Sequence, residues 1–100
     1  MKTLVLPELT TEQIERLCLK AEQVARKTVL SHIPSKQVET LNITTETKGT
    51  KPVTLTIDVE LALTSSTKNV KIKQIADEAV KQAFQAAEEY LEEIKRHSQT

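Results

Sequence analysis

The sequence predicts an α+β fold, a two-layer α-β-β-α sandwich with an antiparallel hairpin and two long helices on one of its faces. Three observations carry this expectation. Apolar residues recur at three- and four-residue steps in the first third of the chain. The period then falls to two on both sides of a turn at residues 48–52. A longer helical period closes the chain. With 100 residues there is room for one domain and not for two.

Residues 1–9 read as an N-terminal arm closed by Pro7. Within it Thr3–Leu6 could fold back as a short third strand, which would guard only part of one sheet edge. The first helix is expected over 10–32. Thr10 and Gln13 have capping-box spacing, and Leu9 and Ile14 can form the hydrophobic staple. Behind them Ile14, Leu17, Cys18, Ala21, Val24, Ala25 and Thr28 form one stripe. Glu12–Arg16 and Glu22–Arg26 are four apart on the polar side. Pro34 disfavours helix at Ile33 and sets the stop near His32.

The strands are expected over 39–48 and 53–64. In the first, Leu41, Ile43, Thr45 and Thr47 alternate with Asn42, Thr44 and Glu46. In the second, Val53, Leu55, Ile57, Val59, Leu61 and Leu63 face one way, and Thr54, Thr56, Asp58 and Glu60 face the other. Gly49, the sole glycine, lies in the turn between them. The second helix is expected over 71–96. Its alanines permit close approach to a neighbour, while Val80, Phe84 and Leu91 widen its apolar arc.

A two-stranded hairpin under two long helices leaves both sheet edges unpaired, and isolated hairpins are marginal. The expected remedy is a homodimer with a four-stranded sheet, because twofold pairs dominate small assemblies. The interaction candidates are the second strand, Val53, Leu55, Ile57, Val59 and Leu61, with Leu19 and Leu30 on the outer side of the first helix. Leu19 and Leu30 are eleven residues apart, about 20° on the helical wheel. They can equally be two isolated surface leucines, which are common.

Composition narrows the function. Phe84 and Tyr90 are the only aromatic residues, so base-stacking platforms for single strands are largely excluded. Acidic and basic residues number 14 each, which disfavours strong nonspecific nucleic-acid binding. One cysteine precludes an internal disulfide and suits a reducing compartment. No apolar run reaches the length of a membrane span or a signal-peptide core, so a cytoplasmic protein without a membrane role is expected.

Catalytic patterns are weak throughout. Cys18 lies on the apolar stripe, where a buried thiol is inert. His32 and His97 suit the last turns of helices, through dipole and carbonyl capping. Glu88/Glu92 and Glu89/Glu93 share helix sides and could hold a divalent cation, but a solvated acidic face explains them better. With one glycine, phosphate-cradling loops cannot form. No cofactor, metal or catalytic residue is expected.

One constellation remains. The expected chain path brings the end of the first helix and the start of the second together. That end would gather Arg26, Lys27, His32, Lys36, Lys68, Lys71 and Lys73, with Ser65, Ser66, Thr67 and Asn69 ahead of a helix N-terminus. Such a site could hold an anion or a phosphate backbone. Solvation and dipole compensation account for the same lysines.

The run Leu6-Pro7-Glu8-Leu9-Thr10, the strand Val53–Leu63, the segment Ile75-Ala76-Asp77-Glu78-Ala79-Val80 and the residues Ala83-Phe84 and Glu88-Glu89-Tyr90-Leu91 resemble a small archaeal family of unknown function. The resemblance spans Leu6 to Ile94. It implies an archaeal cytoplasmic protein without an assigned activity. The β-β-α half, Val53 to Ile94, is also loosely similar to the dimerising subunit of the archaeal tRNA-modifying KEOPS complex, and the α-ββ-α order is similar to bacterial nucleoid-associated proteins of α-βββ-α plan. Neither likeness rests on a matching motif, and fold does not fix function. The expected function is therefore a noncatalytic homodimeric interaction or adaptor module, with an unidentified protein as a further partner. The alternative is weak RNA or DNA binding at the Lys68–Lys73 end. An enzyme would be the third reading, without a recognisable motif.

Overall fold

A computed structural model of the chain describes residues 2–49, 52–64 and 71–98. Its elements are β1 (Lys2–Leu6), α1 (Thr11–His32), a single 3-10 turn at Ser35–Gln37, β2 (Val38–Lys48), β3 (Val53–Leu63) and α2 (Ile72–Ser98). The fold is α+β, with a three-stranded antiparallel sheet and two helices.

Local chemistry sets the helix ends. The Thr10 hydroxyl accepts the Gln13 N–H at 3.1 Å, and the Gln13 side-chain carbonyl accepts the Thr10 N–H at 3.0 Å. Two otherwise orphaned donors of the first turn are satisfied together. At the other end Ile33 is extended, at φ −134° and ψ 127°, as the residue before a proline prefers.

The strand order is β1-β3-β2. β2 and β3 form the expected hairpin, with Leu41 opposite Leu61, Ile43 opposite Val59 and Thr45 opposite Ile57. The arm, however, is a strand. β1 runs antiparallel to β3, placing Leu4 opposite Leu55 and Leu6 opposite Val53. The hairpin is therefore present and is extended by the in-chain candidate, with Thr3–Leu6 in the sheet. The physical reason is that Leu4 and Leu6 extend the apolar face that Val53 and Leu55 begin, while the backbone satisfies an open edge. β3 becomes the central strand. Two such chains joined edge to edge would share six strands rather than four.

The core lies between the sheet and the helix pair and is aliphatic. Leu6, Leu17, Val29, Val53, Leu55 and Ile57 are its largest fully buried side chains. Ala21 and Ala25 of α1 and Ala79, Ala83 and Ala87 of α2 are sealed from solvent. Phe84 and Tyr90 are only half-buried at its margin. Among the described residues no helix is long and apolar enough to cross a membrane.

Candidate functional site

The burial of β3 changes along its length. Val53 and Leu55 are fully buried and Ile57 is 2% exposed, whereas Val59, Leu61 and Leu63 on the same face are half-buried. The change coincides with Lys2, the first described residue of β1, which pairs with Ile57. Beyond that point, among the described residues, no strand lies on this side of β3. Asp58–Leu63 is thus a step in the sheet, with one edge on β2 and the other open among the described residues. Its core-facing side is aliphatic. Its other side carries Asp58 and Glu60, both exposed, and Glu60 accepts a hydrogen bond from the Asn42 amide at 2.9 Å.

The step divides the five strand candidates. Val53, Leu55 and Ile57 are committed to this chain's own core and to pairing with β1. Val59 and Leu61 remain accessible. Leu19 and Leu30 are 54% and 40% exposed, on the outer side of α1. Between them Arg26 donates to Glu22 at 3.1 Å. Val5, 65% exposed on the uncovered face of the sheet, and Ile72 were not singled out from sequence. Val5 could be found only by knowing that β1 is a strand, because alternation then turns it away from Leu4 and Leu6.

At the end where α1 finishes and α2 begins, His32, Gln74, Ile75 and Glu78 line a shallow hollow. The two helix ends therefore do meet. Lys27, Lys36, Lys71 and Lys73 are exposed, while the guanidinium of Arg26 is engaged by Glu22. Lys68, together with Ser65, Ser66, Thr67 and Asn69, lies outside the described residues. Glu78 brings a carboxylate into the same neighbourhood.

The acidic segment of α2 forms an open hollow lined by Gln85, Glu88, Glu89 and Glu92. Its neighbour between the helices is crossed by Lys20, whose ammonium lies 5.6 Å from the Tyr90 ring centroid. Among the described residues no three potential metal ligands converge. Cys18 is a half-buried free thiol packed against the core. No polar or charged side chain among the described residues is buried. What the surface offers is therefore apolar contact, backbone pairing and exposed charge.

Comparison with known proteins agrees with this architecture. A family model described as "Protein of unknown function (DUF3194)" matches residues 6–90. An uncharacterized protein of Thermococcus kodakarensis is 33% identical over 94 residues, covering 94% of this chain and 86% of the relative. A crystal structure from Thermococcus onnurineus superposes with a TM-score of 0.80 at 27% identity, covering 96% of each chain. The solution structure of a hypothetical protein from Methanothermobacter thermautotrophicus gives a TM-score of 0.73 at 23% identity, over 87% of this chain and 93% of that one. That second likeness bears on the fold alone.

Proposed function

This chain belongs to the DUF3194 family, and from that membership and the surfaces above we propose a noncatalytic interaction module that self-associates as a homodimer and engages a further protein partner. The observation that carries the reading is exposed apolar surface among the described residues: Leu19 and Leu30 stand out on α1, and Val59 and Leu61 of β3 are only half-buried.

The outer side of α1 suits a twofold contact. An antiparallel pair of α1 helices sets Leu19 against the partner's Leu30, with Glu22 and Arg26 near the axis, where each can face its opposite charge. The test is solution mass by light scattering over a concentration series. A mass approaching twice 11.2 kDa supports self-association. A monomer at every concentration overturns the homodimer.

The second reading is weak RNA or DNA binding at the end shared by α1 and α2. It is supported by the meeting of those helix ends at the hollow of His32, Gln74, Ile75 and Glu78, with Lys27, Lys36, Lys71 and Lys73 exposed. Binding should then weaken with salt and fall when Lys68, Lys71 and Lys73 are changed to Glu. Binding that survives both changes removes this reading.

A further inference from the structure

We infer that the open half of β3, Asp58–Leu63, receives an extended segment of another protein in which aliphatic residues alternate with basic ones. This inference rests on the interaction-module reading and names the partner chemistry of one of its surfaces.

An unpaired strand offers a row of N–H and C=O groups to an added strand. In line with β1, whose Lys2 pairs with Ile57, no strand among the described residues lies opposite β3 from Asp58 to Leu63. Opposed residues in paired strands point to the same face. Positions facing Val59, Leu61 and Leu63 therefore enter the half-open margin of the core, where aliphatic side chains gain burial. Positions facing Asp58 and Glu60 lie on the uncovered face, beside two exposed carboxylates that no ion pair holds among the described residues. Basic side chains are favoured there and acidic ones repelled.

A second copy of this chain fits the step poorly. Antiparallel pairing of β3 with the partner's β3 about a twofold axis puts both helix layers on the same side of the sheet. Each α2 packs over its own β3. Adjacent strands are about 4.8 Å apart, but packed helices need about 8–10 Å. A strand without its own helix layer avoids that conflict. The outer edge of β2 is less receptive. It has a register shift between Val38 and Thr40 and carries charges of both signs, Glu39, Glu46 and Lys48, which are devices that discourage strand addition.

The test uses the full chain and two blocked hexapeptides, one alternating Lys and Val and the other alternating Glu and Val. Amide NMR shifts are followed during titration. The lysine peptide should bind with shifts centred on residues 58–63, at about tenfold higher affinity than the glutamate peptide. The double variant Asp58→Lys/Glu60→Lys should reverse that preference, with an unchanged thermal melt showing that it folds. Equal affinity for the two peptides, shifts centred elsewhere, or no binding by either peptide overturns the inference. A dimer in light scattering that binds neither peptide sinks this inference alone and leaves the module reading standing. A monomer that binds the lysine peptide supports the inference and removes only self-association.

Discussion

Gly49 sits at φ 80°, in the left-handed region that side chains other than glycine rarely adopt. A Cβ placed there would lie 2.7 Å from the carbonyl oxygen of Pro52. The backbone has little freedom to yield, because Lys48 is already paired with Thr54. Gly49→Ala therefore combines left-handed strain of about 1–2 kcal/mol with a backbone clash. Its melting temperature should fall by roughly 4–8 °C for each kcal/mol lost, read by calorimetry. A melt equal to the parent's would show that the turn relaxes. This residue was legible because a lone glycine between two alternating runs leaves few other roles. The Thr10–Gln13 capping box was legible for a similar reason, since both partners lie three residues apart. The contrast between Ile57 and Val59 was not legible. Alternation puts both on one face, and what separates them is a pairing distant in sequence, between Ile57 and Lys2 of β1.

Periodicity of 3.6 and 2 carried the helices and the hairpin, because those signals repeat over many residues. β1 has five residues, too few to establish a period, and its pairing depends on a distant edge. It emerged from the sequence only as an option. Between the long elements, packing is set by alanines: Ala21 and Ala25 on α1, and Ala79, Ala83 and Ala87 on α2, all fully buried. Small residues at these positions let the two helices approach closely over the sheet. Ala83→Leu adds volume where none is free and should cost about 1–3 kcal/mol, measured by urea unfolding. The control Ala83→Gly removes volume and costs about 1 kcal/mol through helix propensity. A leucine variant as stable as the parent would mean that the helices stand far enough apart to admit it, contrary to the sealed alanines.

The molecule measures 52 × 24 × 19 Å, with a radius of gyration of 15.1 Å, against about 13 Å for a compact chain of 100 residues. Its length follows from its elements, because α2 of 27 residues extends about 40 Å alongside strands of 11 residues that extend about 36 Å. Two layers of such elements give a thin body with much surface for its volume, and one whose elution volume exaggerates its mass. Scattering mass is therefore the readout for self-association. Leu19 and Leu30 are outside the core, so Leu19→Lys/Leu30→Lys should leave the melt of the isolated chain nearly unchanged. In a twofold dimer each substitution acts twice. Losing part of the burial of four leucines should cost about 3 kcal/mol, a weakening on the order of 100-fold. The parent would then show the dimer mass at concentrations where the variant shows 11.2 kDa. If the variant keeps the parent's dimer mass, the contact is not on α1. Crowding of the helix layers disfavours β3 against β3, so the uncovered face of the sheet around Val5 would be the surface left for the second copy.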